Sequence, residues 1–295
     1  PWPGGRTNHY NFDLNRDWAW QTQTESEQRM AFYQQWYPQI HVDYHEQGIN
    51  APYYFAPAAQ PYHEAITQWQ RDFQVTIGKN NAKYFDANSW LFFTKEIFDL
   101  YYPSYGDTYP IYNGAIGMTY EQGGGPSSGL GVHKKEGDTL TLTDRVMHHY
   151  TTGLSTIEIS SENAGRLIRE YRKFFNDAVS TGTGMYKTFI IKREEGNAQR
   201  IAALTELLDK NNIRYGSSKG NAKGYSYFTG KEESFTIAEG DIVISGLQPK
   251  STLLSVLFEP RSKLVDSATY DITAWSLPYV YGLTAYAVKE KISIT

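Results

Sequence analysis

Cysteine is absent from the 295 residues, which removes disulfides, structural zinc–thiolate sites and thiol nucleophiles at once. The same absence leaves the compartment undecided. No apolar run approaches the roughly 20 residues that cross a bilayer, and no signal peptide opens the chain. Neither sign of charge dominates. Lys and Arg total 28 against 32 Asp and Glu, a formal net charge of −4, and the charges are interspersed. A chain with no basic stripe lacks the electrostatic footprint of a nucleic-acid binder, and no polybasic patch marks a membrane surface. The expected partners therefore include neither nucleic acid nor membrane.

What is present argues for a globular chain. Residues are 40% hydrophobic, with seven Trp and 24 Tyr, well outside disordered composition. The length suits one large domain, or a medium and a small one. One stretch carries most of the chemistry: His41-Val42-Asp43-Tyr44-His45-Glu46-Gln47-Gly48 closes an apolar, strand-like run with an imidazole at its downstream tip. In open α/β sheets that edge is where ligands bind. Alternation along 39–45 sets Ile40, Val42 and Tyr44 on one face and His41, Asp43 and His45 on the other. His45 is the candidate metal ligand.

Two further segments stand around it, Asp13-Leu14-Asn15-Arg16-Asp17-Trp18 upstream and Gly117-Met118-Thr119-Tyr120-Glu121-Gln122-Gly123 downstream. In that order, with a long interval before the last, the three segments resemble the zinc carboxypeptidases of the carboxypeptidase A-like family. The resemblance covers roughly the first 180 residues and lies in order and context more than in any single motif. It implies that Asn15 and Arg16 bind the terminal carboxylate of a peptide substrate, that His45 is a zinc ligand, and that Glu121 activates water. It also implies a tyrosine that closes the site, for which Tyr105 and then Tyr102 are the candidates, and a carbonyl-polarising arginine, for which only Arg6 is available. Asp107 either lines a specificity pocket that favours a basic terminal residue or bonds to its own turn. An exported protein, periplasmic or secreted, is the implied location.

The chemistry matches those residue types. A guanidinium grips a carboxylate through two parallel charge-assisted hydrogen bonds, and an amide adds another donor. A carboxylate beside zinc takes the proton of the activated water and passes it to the leaving amine. Glu121 ends a buried-strand pattern, 115–120, and three glycines follow it.

The family's remaining zinc ligands, a His-x-x-Glu pair upstream of the Asn-Arg pair, have no counterpart in the fourteen residues before Asn15. The one His-x-x-Glu here, His133-Lys134-Lys135-Glu136, reads as an exposed hairpin tip. Catalytic zinc takes three protein ligands, so the chain reads as a fragment. It would bind one Zn2+ through His45 and two ligands outside this chain, its own missing N-terminal segment being their source. An amidase or deacylase on cell-wall peptides or acylated amino acids, and a non-catalytic peptide binder, are the competing readings.

The expected fold class is α/β: a mostly parallel or mixed sheet flanked by helices, carboxypeptidase-like and incomplete at its N-terminus (1–182), followed by a smaller accessory α/β domain (185–295). A capping box at Thr24-Glu25-Ser26-Glu27 predicts a helix into the His45 strand. Further helices are expected over 62–77, 88–101 and 145–179, the last broken near 153–157. After the linker 180–184 come a strand (186–192), a helix (197–208) and a strand from Ile213, read as a βαβ unit. Strands at 224–228, 235–237, 241–245 and 253–258 follow, and the aromatic segment 270–278 is expected to dock on the first domain. His9, His63, His148 and His149 read as solvated or core histidines.

Overall fold

The computed structural model describes residues 6–125, 129–264, 269–272 and 274–294, and its architecture is mixed α/β. Its first sheet holds four strands in the order β1-β4-β2-β3, formed by β1 (Ile40–Gln47), β2 (Tyr53–Tyr54), β3 (Phe92–Phe93) and β4 (Ile116–Gly123). β1 runs parallel to β4, β2 antiparallel to β4, and β3 parallel to β2. The β1–β4 register sets Ile40 opposite Ile116 and Val42 opposite Met118. These side chains pack with Tyr120 against Phe73, Ile77 and Phe85 of helix α2 (Gln68–Ala87). The period of two then sends Asp43, His45, Thr119 and Glu121 to the opposite face.

That opposite face is approached by α1 (Thr24–Trp36) and α3 (Thr108–Tyr112). The rings of Trp18, Tyr33, His41 and Tyr109 meet there in edge-to-face and tilted contacts. The helix α1 forms as expected, but its cap does not. Gln23 is the N-cap and makes no side-chain cap bond. The Asp17 carboxylate instead accepts from the backbone N–H groups of Thr22 and Gln23 and from the Thr22 hydroxyl, so the charge sits one turn earlier than a Thr24 capping box would place it.

Helix α2 starts later than 62 because its capping box is Thr67 with Gln70, and it runs on to Ala87. The helix expected over 88–101 is absent. Ser89 takes a left-handed φ of 57°, and Phe92 and Phe93 become an edge strand whose rings pack on Phe55, Phe85 and Tyr54. Helix α4 (Leu142–Glu162) runs unbroken through Gly153; the interruption comes at Asn163, before α5 (Ala164–Ser180). Gly153 is there for packing: a Cβ on it would meet the Tyr44 hydroxyl at 3.0 Å. The strands β5 (Gly131–His133) and β6 (Thr139–Thr141) pair as a hairpin around 134–138, so His133 and Glu136 do lie at an exposed tip.

The second sheet orders β7 (Thr188–Ile191), β8 (Gly220–Ser226), β9 (Glu232–Ile237), β10 (Ile242–Ser245) and β11 (Ala285–Val288) as β10-β7-β11-β8-β9. Every pairing in it is antiparallel. The βαβ unit is therefore not formed: α6 (Ala198–Lys210) follows β7, but the stretch 213–219 before β8 makes an isolated antiparallel bridge, Gly216 to Val243, in place of a strand. The segment 253–258, expected as a strand, is the helix α7 (Ser251–Phe258), with all eight residues buried. A short apolar run buried on every side carries no periodicity to separate the two states.

One apolar cluster runs across the turn at 180–184, joining Trp18, Tyr102 and Tyr109 to Phe189, Leu204, Leu254 and Trp275. Lys250 strengthens this junction. Its buried ammonium donates to Asn113 Oδ1 at 2.6 Å and to the Tyr37 hydroxyl at 2.5 Å, and burial lowers its pKa to about 7. The aromatic segment docks on the first 182 residues as expected, with the Trp275 ring against Tyr101 and Tyr102 and the Tyr270 N–H donating to Asp99 at 2.7 Å.

The face that carries Glu121 is held against α3 by a close approach at Gly117, where a Cβ would stand 2.0 Å from the Asp107 carbonyl oxygen. Gly117→Ala should therefore cost about 3 kcal/mol of unfolding free energy. Urea denaturation of the variant beside the wild type checks this; an unchanged midpoint would contradict the packing described.

Candidate functional site

The loop before α1 brings the first candidate residues to the sheet. Leu14–Arg16 form one turn of 3-10 helix, begun by the Asp13 carboxylate accepting from Asn15 N–H at 2.9 Å. Asn15 is then fixed from three sides. Its Oδ1 accepts from Trp18 Nε1 at 3.1 Å and from Gly106 N–H at 2.9 Å, which orients the amide and leaves Nδ2 3.1 Å from His45 Nε2. Gly106 can only be glycine here, because a Cβ would meet Asp43 Oδ2 at 2.1 Å and Asn15 Oδ1 at 3.0 Å.

At the downstream end of the parallel pair, His45 lies directly opposite Glu121. The cleft around them has a cavity volume of about 50 Å³, opens to solvent, and is lined by Arg6, Asn15, Arg16, His45, Phe98, Asp99, Tyr105, Asp107, Thr119, Glu121 and Tyr270. Six of the seven candidate side chains thus meet in one place. The seventh, Tyr102, lies behind them. It is buried, accepts from Trp20 Nε1 and donates to the Arg16 carbonyl at 3.1 Å, so it supports the Arg16 loop from the core side. Of the two tyrosines, Tyr105 is the one that faces the cleft, with its ring under the Arg16 guanidinium at 4.4 Å.

The cleft concentrates carboxylates away from water. Burial is the main cause that raises Glu121 to about 7; His45 and Arg6 pull the other way, and Asp43 and Asp107 add to the rise. One of its oxygens, Oε2, is buried without a hydrogen-bond partner among the described residues. Asp107 is raised to about 6, again chiefly by burial. It accepts from the Thr108 N–H at 2.7 Å and from the Thr119 hydroxyl at 2.9 Å, so it does bond to its own turn.

His45 is held by Asp43, whose Oδ2 lies 2.7 Å from Nε2. Burial disfavours the imidazolium, but the Asp43 hydrogen bond and the surrounding carboxylates outweigh it and raise the pKa. His45 Nε2 thus lies between the Asp43 carboxylate and the Asn15 amide, and these two contacts fix the orientation of the ring. Arg16 donates from Nε to Asp271 at 2.9 Å, and Arg6 from Nε to Asp13 at 2.8 Å.

Asp43, Asp99, Thr119, Tyr270 and Asp271 were not assigned to the site from sequence. Asp43 was within reach, since it shares the His45 face by alternation. Asp271, 255 positions from Arg16, offered no local signal. The other histidines have separate partners: His63 with Glu259 at 2.6 Å, His148 with Gln122 at 2.6 Å, His149 with Tyr53 at 2.7 Å.

Among the described residues, no group of three His, Cys, Asp or Glu side chains is arranged to hold a metal ion. His45 alone does not make a catalytic zinc site. No family model, curated protein or solved structure matches the chain, so the functional reading rests on the cleft itself.

A carboxyl group raised from 4.5 to about 7 makes folding less favourable as pH climbs between those values. Its stabilising, protonated form is fully present below 4.5 and lost through 7. Glu121→Gln, which does not titrate, should equal the wild type near pH 4 and exceed it by about 2 kcal/mol at pH 8. Denaturation curves at the two pH values check this; a constant difference would remove the buried, strained carboxylate from the account.

Proposed function

We propose that the cleft receives the C-terminal residue of a peptide and that the protein is the corresponding part of a zinc-dependent carboxypeptidase. One observation carries the reading: the register-paired His45 and Glu121 face a single cleft with the Arg16 guanidinium at its wall. Arg16 would take the terminal carboxylate in a two-pronged, charge-assisted contact, with the Asn15 amide as a further donor. Glu121, titrating near neutrality, would accept the proton of the attacking water and return it to the leaving amine. Tyr105 would close over the bound residue, and Arg6 would add positive charge beside the scissile carbonyl.

The metal is the incomplete part. The described residues do not by themselves fit a catalytic zinc, so no step is assigned to it; in this proposal two ligands come from outside this chain. That gap favours a second reading, a peptide-binding protein that performs no hydrolysis. An amidase or deacylase is less favoured, because Arg16 stands where a carboxylate is gripped. Among the described residues no helix is long and apolar enough to cross a membrane, and a periplasmic or secreted location is part of the same proposal.

Calorimetric titration with N-acetyl-Phe-Phe as the free acid and as the C-terminal amide tests the anchor. The acid should bind at least about tenfold more tightly, about 1.4 kcal/mol, and Arg16→Gln should erase the preference. Equal binding of acid and amide by the wild type would overturn the reading. Protein isolated from its native cells separates the two proposals. About one zinc per chain with release of C-terminal residues, slowed about 100-fold or more by Glu121→Gln, supports the hydrolase; a metal-free protein that still binds the acid supports the binder.

A further inference from the structure

The Arg16 guanidinium already holds a carboxylate. It belongs to Asp271, 255 positions along the chain from Arg16. The neighbouring Tyr270 lines the cleft, its ring 5.3 Å from Phe98 and 6.3 Å from Tyr105, and its N–H donates to Asp99 at 2.7 Å. An aromatic side chain and a carboxylate presented together to an arginine reproduce the chemistry of a C-terminal aromatic residue.

We propose that Tyr270 and Asp271 form an autoinhibitory strap: Asp271 occupies the guanidinium that would anchor the substrate's terminal carboxylate, and Tyr270 fills part of the space for its side chain. This rests on the reading of Arg16 as the carboxylate anchor. The strap is built to yield. Its ion pair is partly open to water, with side-chain exposures of 22% for Arg16 and 38% for Asp271, and such pairs are weak. Four residues on, Trp275 is buried against Tyr101 and Tyr102 and bonds to the Val256 carbonyl, so the strap stays tethered when Asp271 leaves. A peptide carboxylate competes with Asp271 for Nε of Arg16, and its apparent affinity is reduced by the fraction of molecules in which the guanidinium is taken.

Asp271→Asn in the full chain, titrated with N-acetyl-Phe-Phe acid and amide beside the wild type, Arg16→Gln and the double variant, tests the strap. The substitution is isosteric and half exposed, and an unchanged melting temperature verifies the fold. The expected result is acid binding about fivefold tighter in Asp271→Asn, amide binding unchanged, and no gain in the double variant. Unchanged acid affinity would overturn the strap, and weaker acid binding would overturn it in favour of Asp271 as a group that positions Arg16. If acid and amide bind alike in all four proteins, the anchor reading fails first and the strap with it.

Discussion

The parallel pairing of β1 with β4 is the constraint on which the site depends. Its register places His45 beside Glu121, and the same register two steps back places Asp43 beside Thr119. Because side chains alternate strictly along paired strands, all four share a face, while Ile40, Val42, Ile116, Met118 and Tyr120 share the face that α2 covers. A slip of one residue would bury the acids in the apolar layer. The apolar face therefore holds the polar one in place, and Gly106 and Gly117 let the loop bearing Tyr105 and Asp107 come down close enough to wall the cleft.

That proximity has an electrostatic consequence. Asp43, Asp107 and Glu121 stand near one another, with His45, Arg6 and Arg16 at the cleft and Arg29 beside Asp43 to offset them. The three carboxyl groups are not treated alike. Asp107 has two hydrogen-bond donors and Asp43 has the His45 ring, whereas one oxygen of Glu121 has none among the described residues. Burial with an unfilled hydrogen-bond position sets Glu121 apart from Asp43 and Asp107, and burial is the main cause that raises its pKa to about 7.

Much of the first sheet was legible because its signals were local and repeated. Alternation from Ile40 to His45 described β1, the apolar run before Glu121 described β4, and the Lys-Lys-Glu-Gly-Asp tip described the hairpin. Legibility failed where partners decide the state. Phe92 and Phe93 are a strand because Tyr53 and Tyr54 lie alongside. Residues 251–258 are a helix because that shape fits between α3, α5 and α8 (Leu277–Val280). Gly153 looked like a helix break, yet it is a contact point for Tyr44.

The sequence by itself determined which side chains could share a face, since the two-residue period of a strand is a property of the backbone. It determined too that thiol chemistry is excluded, and it identified the residue types able to grip a carboxylate or move a proton. Tertiary structure alone decided that Asn15, Arg16, His45, Tyr105 and Glu121 surround one cleft, that Tyr102 stands behind it, and that Asp271 reaches Arg16. Contacts such as Asn15 with His45 and Arg16 with Asp271 join residues 30 and 255 positions apart, and chain-local patterns carry no information about loops of that length closing.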